Sequence, residues 1–461
     1  MHELSVLAAA VEAPSRDCMI AEGRVWSYAH TAKRVRAAIS MLRDRGVVPR
    51  DRVALTPNLD ADSLIWLYAL FELGCPAVLL HPRLTERERE QLLQEAQPAH
   101  LITERSTDEA AVEEAWFPEP IDARETLAIA YTSGSTGRPR GAQLSRRAFI
   151  ASEAAHAANL GWAPEDRWLL CMTPAHIGGL SIVTRCLIAR KCVVLSRGAF
   201  DSATAIRTMA EDRVTLASLV PTMLRRLLRT EDPRWTPGSD LRAVLVGGAQ
   251  LPDTLRALAL ERGVPILATY GCTEACSQLS TQSPEQRGRP GSGAPLPGVQ
   301  VRVEEGEIQV RGEVLMDGYF GEAHDAAPWT PDGWLRTGDL GWFSPDGQLH
   351  IRGRIDDLIV TGGENVSPQE VESWLESVPG IEAACVFSLP HEDWGQEVVA
   401  ALVTDATRYD AGILRARLVR ELAPHKRPKR ICALDGFPSN RSGKLDRAAV
   451  VALCSGQLRP I

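Results

Sequence analysis

The sequence has no long hydrophobic run and no excess of basic residues. Its longest apolar stretch, Leu64 to Phe71, ends at Glu72 and is too short to cross a bilayer, and the first residues lack the basic start and apolar core of a secretory signal. The formal net charge is −8, which argues against nucleic acid as the main partner. We therefore expect a cytoplasmic protein that binds no nucleic acid, does not insert into membranes and forms any anion site locally.

The sequence also lacks paired cysteines and is poor in aromatic residues. Its ten cysteines include no CxxC pair, and the closest two, Cys272 and Cys276, have no neighbouring His or Cys cluster to complete a metal site. Reduced and mostly buried thiols are the expected state. Aromatic residues make up only 5% of the chain, so stacking residues do not predict the shape of a pocket.

A long central region has the pattern of an α/β domain. From about residue 120 to 275, β-rich runs alternate with helical patterns: "LAIAYT" precedes "RRAFIASEAAHAANL", "RWLLCMTP" precedes "GLSIVTRCLIAR", and "RAVLVGG" precedes "PDTLRALALERG". This alternation predicts a doubly wound, mostly parallel sheet whose ligand site lies at the carboxyl ends of the strands.

The remainder of the chain has a different pattern. "VQVRVEEGEIQVRG" predicts a hairpin in a small β-rich subdomain after residue 285. Past Arg354, "DDLIVTGGENVSPQEVESWLESV" starts an α+β unit in which Ser367, Pro368 and Glu370 predict a capping box. At 461 residues the chain exceeds one compact core. We predict a large domain over 1–354 and a small mobile α+β domain over 355–461.

The segment "YTSGSTGRPRG" has the composition of an anion-binding loop. Glycines let successive backbone N–H groups converge, hydroxyl side chains add donors, and Arg138 and Arg140 add positive charge. It is neither a Walker A loop nor a Rossmann fingerprint. A polyphosphate is the expected ligand, although a loop of this composition taken alone is also typical of a plain surface turn.

The same segment resembles the phosphate-binding signature of the adenylate-forming superfamily, which includes acyl- and aryl-CoA ligases, adenylation domains of peptide synthetases and luciferases. The resemblance implies that the loop cradles the β- and γ-phosphates of ATP. Arg140 stands where Lys is usual and keeps the charge. The phosphate-binding residues implied are Thr132, Ser133, Gly134, Ser135, Thr136, Gly137 and Arg140.

Further motifs follow in the order typical of that superfamily. In "TYGCTEA", similar to YGxTE, Tyr270 would stack on adenine, Thr273 would face the α-phosphate and Glu274 would hold Mg²⁺. In "WLRTGDLG", Asp339 would accept hydrogen bonds from the ribose hydroxyls, and Arg354 of "RGRIDD" would make a second ribose or phosphate contact.

The resemblance also extends into the C-terminal region. Lys444 of "NRSGKLDR" matches the superfamily lysine that bridges the attacking carboxylate and the α-phosphate, and Asp356 falls on the hinge position. Gly362 and Gly363 of "TGGEN" would line a tunnel for the thiol of CoA, although a tight turn alone would also explain them. Gly248 and Ala249 of "LVGGAQ" are assigned to the nucleotide.

Several local strings, above all "YGCTEACSQLSTQSPE", resemble the o-succinylbenzoate-CoA ligases of menaquinone synthesis. On that resemblance His176 and Gly271 border the acid, and Arg185, nine positions after His176, faces a second carboxylate of the substrate. A packed histidine and a solvated helix face are the alternatives for His176 and Arg185. Ala175 replaces the usual aromatic residue, and Gly178 stands where Ser or Thr is common.

The expected activity is ATP-dependent activation of a carboxylic acid as acyl-AMP, followed by thioester formation with CoA. Another aryl- or acyl-CoA ligase and a stand-alone enzyme that loads a carrier protein are alternatives within the class. A catalytically silent nucleotide-binding relative is a third, which the presence of Glu274, Asp339 and Lys444 disfavours. A homodimer is possible, because dimers are frequent among such relatives.

Overall fold

A computed structural model describes residues 3–106, 121–132, 139–198, 200–229, 236–322, 328–440 and 444–461. Its helices, in chain order, are α1 (Val6–Glu12), α2 (Tyr28–Asp44), α3 (Ala61–Leu73), α4 (Glu86–Ala96), α5 (Arg146–Leu160), α6 (Ile177–Ala189), α7 (Ser202–Glu211), α8 (Pro221–Leu228), α9 (Asp253–Glu261), α10 (Pro368–Glu376), α11 (Ala411–Glu421) and α12 (Arg447–Cys454). The predicted alternation of strands and helices through the central region is confirmed.

The strands belong to four sheets, described below. In chain order they are β1 (Asp17–Ala21), β2 (Arg24–Ser27), β3 (Val53–Leu55), β4 (Ala77–Leu79), β5 (His100–Ile102), β6 (Thr126–Thr132), β7 (Arg140–Ser145), β8 (Arg167–Leu170), β9 (Cys192–Leu195), β10 (Leu216–Leu219), β11 (Ala243–Val246), β12 (Ile266–Tyr270), β13 (Ser280–Thr281), β14 (Ala294–Pro295), β15 (Gln300–Glu304), β16 (Glu307–Arg311), β17 (Gly318–Tyr319), β18 (Leu335–Phe343), β19 (Leu349–Arg354), β20 (Ile359–Thr361), β21 (Glu364–Val366), β22 (Ile381–His391), β23 (Gly395–Thr404), β24 (Arg430–Ala433) and β25 (Arg459–Pro460).

Two mostly parallel sheets form the large N-terminal region. One has nine strands in the order β14-β13-β12-β11-β10-β8-β9-β1-β2, and its middle strands, from β12 to β1, run parallel. The other has the order β17-β7-β6-β4-β3-β5. A single hydrophobic core includes Leu79 of the second sheet and Leu216 and Leu245 of the first. The carboxyl ends of β11 and β12 carry the segments that the motifs assign to the nucleotide.

The phosphate-binding segment joins two antiparallel strands. β6 pairs with β7 from Thr126 to Thr132, and α5 begins only after β7 ends at Ser145. The expected helix begins at Arg146 as α5, but strand β7 precedes it, so the additional strand is a correction. β7 is a six-residue run without β-branched residues, and its identity as a strand depends on pairing with β6 rather than on local preference.

Helix α3 contains the longest apolar run of the sequence. The carboxylate of Asp60 caps its first turn by accepting from the N–H of Ser63 at 2.8 Å, and Gly74 ends it with φ +67°. Nearly every residue from Ser63 to Leu73 is buried, so the run is a core helix. No helix within the described residues is long and apolar enough to span a membrane.

The β-rich and C-terminal regions form two further sheets. The antiparallel sheet β15-β16-β18-β19 includes the predicted hairpin, which is confirmed. Strands β20 to β25 form the sheet of the C-terminal region, over which α10, α11 and α12 lie. The predicted boundary at residues 354 and 355 falls in the segment between β19 and β20, and it stays a prediction.

Only part of the predicted capping box at α10 is found. Ser367 Oγ accepts from the N–H of Glu370 at 3.3 Å, as expected of an N-cap. The carboxylate of Glu370, however, pairs with Lys426 and with Arg352 at 3.3 Å rather than with the Ser367 backbone. Two cations from distant positions thus compete successfully for a group that local sequence assigns to the cap.

Candidate active site

The segment after β12 turns sharply at Gly271. A Cβ atom at this position would lie 1.5 Å from the carbonyl oxygen of Ser277, so the turn admits no side chain. Thr273 and Glu274 follow in a short 3₁₀ turn, and the backbone N–H of Met316 donates to the carbonyl of Glu274 at 2.7 Å. The close approach of Gly271 to the Ser277 carbonyl is by itself sufficient to require glycine at this position. A substrate contact of Gly271 stays a prediction.

Tyr270, Asp339 and Arg354 form a connected group at the end of β12. The Tyr270 hydroxyl donates to Asp339 Oδ2 at 2.7 Å, and Arg354 Nη1 donates to Asp339 Oδ1 at 3.3 Å and to the Thr337 carbonyl at 3.0 Å. Burial raises the pKa of Asp339, while Arg354 and Tyr270 act in the opposite direction. The structure therefore brings together three residues that the motifs assigned separately to adenine and ribose.

Glu274 is connected through Tyr319 to Arg140 of the predicted phosphate-binding segment. The Tyr319 hydroxyl donates to Glu274 Oε1 at 2.7 Å, and the guanidinium of Arg140 lies 3.5 Å from the centre of the Tyr319 ring. Arg140 also donates from Nε to Glu322 Oε1 at 2.8 Å, and this bond raises its pKa. The sequence did not identify Tyr319 and Glu322, because only the pairing of β17 with β7 brings them near Arg140.

Lys444 of the C-terminal region reaches the N-terminal region. A Cβ atom on Gly248 would lie 3.3 Å from Lys444 Cε and 3.9 Å from its Nζ. Although Lys444 is exposed as a whole residue, desolvation of its ammonium group lowers its pKa, against the attraction of Asp339, Cys272 and Glu274. The lysine therefore lies within electrostatic range of both predicted nucleotide-site carboxylates.

His176 lies at the N-cap of α6 and packs against a second imidazole. Its ring centre is 4.8 Å from that of His81, and its Nε2 has no hydrogen-bond partner among the residues that the structure describes. Burial, His81, Lys444 and Arg83 together lower the pKa of His176 to about 4. A neutral, half-buried imidazole near Lys444 is consistent with the predicted acid site. His81 was not identified from the sequence.

Arg185 is buried and lacks a carboxylate partner in the described part of the chain. The residue is 2% exposed, so a solvated helix face is wrong. Its Nη2 donates to Ser152 Oγ at 2.8 Å, its Nε has no partner among the described residues, and Ser152 Oγ donates to the carbonyl of Cys276 at 2.9 Å. Burial lowers the pKa of Arg185 to about 10, so the guanidinium stays charged at neutral pH.

The other predicted site residues are only partly placed. Thr132 Oγ1 donates to the Arg140 carbonyl at 3.4 Å, and Ala249 lies exposed beyond β11. Asp356 Oδ2 lies 3.6 Å from Arg354 Nη2, and its hinge role stays a prediction. The following predicted residues lie outside the described residues: Ser133, Gly134, Ser135, Thr136, Gly137 and Arg138.

Gly362 and Gly363 form the exposed turn of the β20–β21 hairpin. Both have positive φ, +58° and +84°, between the paired residues Thr361 and Glu364. A two-residue hairpin turn of this kind favours glycine at both positions. The turn alone therefore accounts for the two glycines, and their contact with a thiol substrate stays a prediction.

The described residues contain no group of three or more His, Cys, Asp and Glu side chains arranged to hold a metal ion. Proteins commonly bind Mg²⁺ through one or two carboxylates together with substrate phosphates. Glu274 supplies a hard oxygen ligand of the required kind and has one carboxylate oxygen bonded to Tyr319.

Comparisons with known proteins identify the family of this chain. The family model of AMP-binding enzymes matches residues 7–320, and that of the AMP-binding enzyme C-terminal domain matches residues 370–444. The chain belongs to the AMP-binding enzyme family. A 2-succinylbenzoate–CoA ligase of Bacillus pumilus is 33% identical over 464 residues, which cover 94% of each chain.

Solved structures of AMP-binding enzymes share the fold. The o-succinylbenzoate CoA synthetase of Bacillus subtilis in complex with OSB-AMP has a TM-score of 0.87 at 31% identity, covering 96% of this chain and 97% of its own. A double mutant of that protein bound with its product analogue OSB-NCoA covers the same share of each chain with a TM-score of 0.72. ATP-bound MatB from Rhodopseudomonas palustris has a TM-score of 0.90 at 27% identity, covering 98% and 99%.

Proposed function

We propose that this AMP-binding enzyme is a 2-succinylbenzoate–CoA ligase, an AMP-forming acid–thiol ligase that uses ATP, Mg²⁺ and CoA. The relative from Bacillus pumilus with this name and the Bacillus subtilis synthetase support the proposal. The Bacillus subtilis protein has also been solved in complex with ATP and magnesium ion, with a TM-score of 0.86 to this chain.

The observation that carries the proposal is the position of Lys444 beside Gly248, near Asp339 and Glu274. The backbone of Lys444 is held within the C-terminal region, because its backbone N–H donates to Asn440 Oδ1 at 3.0 Å. A cation there can neutralise the charge that develops when an acid carboxylate approaches the α-phosphate of ATP.

In the first step, a carboxylate oxygen of the acid attacks the α-phosphorus. The new P–O bond forms as the bond from the α-phosphorus to the bridging oxygen of pyrophosphate breaks, which yields acyl-AMP and pyrophosphate. No proton transfer is required, so positioning and charge neutralisation provide the catalysis. Tyr270 and Asp339 bind the nucleoside in this proposal, while Lys444 and Thr273 act at the α-phosphate.

Glu274 would hold Mg²⁺, which supplies positive charge to the phosphates when it is bound. Tyr319 keeps one oxygen of Glu274 in a fixed position through its hydroxyl. Arg140 lies at the same side of the site, where its guanidinium is oriented by Glu322 and by the Tyr319 ring. Glu274 and Arg140 are thus oriented before the nucleotide binds.

In the second step, the thiolate of CoA attacks the acyl carbonyl. The thioester forms as the C–O bond to AMP breaks, and AMP leaves with the electron pair. The Gly362–Gly363 turn lies at the surface of the C-terminal region, where its backbone is accessible to a long flexible arm. Its place along a thiol tunnel is part of the proposal.

Arg185 supports a substrate with two carboxylates. A buried cation with no carboxylate partner in the described residues is costly unless a ligand supplies the opposite charge. We propose that one carboxylate of the acid reacts with ATP, while the other is bound by Arg185. His176 and the segment at Gly271 would border the ring between them.

The test is pyrophosphate release with ATP, Mg²⁺ and CoA across o-succinylbenzoate, benzoate, salicylate, anthranilate and a medium-chain fatty acid. We expect turnover with o-succinylbenzoate and formation of its CoA thioester. Turnover confined to a simple aryl or fatty acid would reject the proposed substrate and retain the reaction class. Product formed only on a carrier protein would reject CoA as the acceptor.

We also propose a homodimer and a cytoplasmic location. Sedimentation velocity on the full chain checks the first, since a single species at the monomer mass would reject it. Fractionation of cells that produce the protein checks the second.

A further inference from the structure

A face between the two regions carries four charged groups that the proposed reaction does not use. Arg225 on α8 and Arg229 just after it lie opposite Glu376 and Glu382 of the C-terminal region. Arg225 Nη1 donates to the backbone carbonyl of Glu382, and its Nη2 lies 3.9 Å from Glu376 Oε1. Arg229 Nη1 donates to Glu382 Oε2 at 2.9 Å. We call these four residues the α8 contact.

The α8 contact has an inner and an outer pair. In the inner pair, the side chains of Arg225 and Glu376 are 23% and 11% exposed; in the outer pair, those of Arg229 and Glu382 are 47% and 30% exposed. Exposed pairs contribute little, whereas removal of one partner from a buried pair leaves an uncompensated charge. The inner pair therefore has the larger effect on how the two regions dock.

Glu376 is fixed within its own region. Its Oε1 also accepts from the backbone N–H of Ala384 at 3.2 Å, and burial raises its pKa to about 7 against the opposing effect of Arg225. Burial likewise lowers the pKa of Arg225, while Glu376 opposes that change. Each charge is thus stabilised by a group on the opposite face, and neither pair is confined to one region.

A cleft of about 290 Å³ borders the α8 contact. Its lining comes from both regions and includes Thr254 and Leu258 on one side and Pro379 and Asp405 on the other. Because water can enter beside the pairs, their charges can be rehydrated when the two faces separate. The contact is therefore suited to reversible docking rather than to permanent burial.

The orientation that the α8 contact maintains is the one that brings Lys444 to Gly248. Lys444 is held through Asn440 of its own region, so the docking of that region decides where the ammonium group lies. The Bacillus subtilis synthetase matches this chain with a TM-score of 0.87 as its OSB-AMP complex and 0.72 as the double mutant bound with OSB-NCoA. The whole chain thus agrees better with the first arrangement.

We propose that Arg225, Arg229, Glu376 and Glu382 are positioning residues that dock the C-terminal region for adenylate formation and are dispensable for thioester formation. The inference rests on the proposed two-step reaction. It assigns a role in one half-reaction to residues that touch neither nucleotide nor acid.

The experiment measures the two half-reactions separately for Arg225→Ala and Glu376→Gln. Acid-dependent ATP–pyrophosphate exchange reports adenylate formation, and CoA thioester formation from supplied acyl-AMP reports the second step. We expect exchange to fall about tenfold in both variants, with thioester formation within about twofold of wild type. Equal loss in both half-reactions, loss in the second alone, or no change would overturn the proposal.

Arg226→Ala is the matched control, because Arg226 lies on the same helix, is exposed and forms no ion pair within the described residues. It should leave both half-reactions unchanged. If the inner-pair variants do not fold, the outer pair provides the test. Arg229→Glu should lower exchange about threefold, and the double variant Arg229→Glu with Glu382→Arg should restore it. Absence of rescue would overturn the proposal.

The acid used is whichever one the wild-type enzyme turns over, together with its adenylate. Absence of turnover with o-succinylbenzoate would reject the proposed substrate and leave this comparison intact. Absence of pyrophosphate exchange with every acid would reject the proposed function itself. A change in the ratio of pyrophosphate exchange to thioester formation in the variants tests only the role of the α8 contact.

Discussion

The nucleotide side and the expected acid side of the site differ in how their polar groups are partnered. On the nucleotide side, Tyr270 and Arg354 both bond to Asp339, and Tyr319 bonds to Glu274. On the acid side, Arg185 Nε and His176 Nε2 have no partner among the described residues. The residues of the nucleotide side hold one another in place without a ligand. The acid side contains buried donors that a ligand can satisfy.

The largest expected effect breaks the link between the two sides. Lys444→Ala removes the cation that lies near His176 and near both nucleotide-side carboxylates. We expect ATP–pyrophosphate exchange to fall by about 10³-fold, because charge neutralisation at the α-phosphate is lost. Thioester formation from supplied acyl-AMP should be largely retained. Equal loss in the two assays would contradict the role of Lys444 in the first step alone.

A change at Arg185 tests whether its missing partner is the substrate. Arg185→Met replaces the arginine by an unbranched apolar side chain and removes the buried charge. We expect KM for the diacid to rise about 10- to 100-fold, with little change for a monoacid such as benzoate. The apoprotein should be as stable as wild type or more stable in thermal unfolding. An unchanged diacid KM, or a marked loss of thermal stability, would show that Arg185 serves the core.

Tyr270→Phe tests the hydrogen bond between Tyr270 and Asp339 on the nucleotide side. The variant keeps the aromatic ring and removes only the hydroxyl that donates to Asp339. Because Arg354 still holds the other oxygen of Asp339, we expect KM for ATP to rise about fivefold, in line with one lost hydrogen bond to a charged group. Tyr270→Ala, which also removes the ring, should raise it further. Equal effects of the two variants would argue against stacking on adenine.

The smallest effect is expected from Arg140→Lys, which restores the residue usual at this position in the superfamily. Lysine keeps the charge but loses the two-nitrogen contact with Glu322 and packs less fully over the Tyr319 ring. We expect kcat/KM for ATP to change by about threefold or less. A change above about 30-fold would mean that the guanidinium has a specific role in phosphate binding.

Local sequence predicts much of this fold and fails where distant segments decide. The apolar patterns of α5, α6 and α9 and of β6, β8 and β11 are each contained in a few residues, and all were found. Strand β7 was missed, because its pairing with β6 determines its structure. The partial capping box at Ser367 has the same origin, since Lys426 and Arg352 take the carboxylate of Glu370.

The same division holds for the candidate site. Motif residues such as Glu274 and Asp339 could be assigned from short strings, because each string carries its own chemistry. Their partners could not: Tyr319 reaches Glu274 only through the β17–β7 pairing, and His81 reaches His176 from the segment after β4. The burial of Arg185 was equally invisible, since its helix pattern fitted a solvated face as well as a packed one.

The turn at Gly271 constrains how this enzyme can be altered. Its backbone approaches the Ser277 carbonyl so closely that any side chain would push apart the two segments of chain that meet in the bend carrying Tyr270 and Glu274. In the proposed function, binding of the acid and of the metal ion therefore depends on one stretch of chain with no freedom to vary at its centre. We expect changes of acid specificity to begin at His176, which lies at the N-cap of α6 outside that bend.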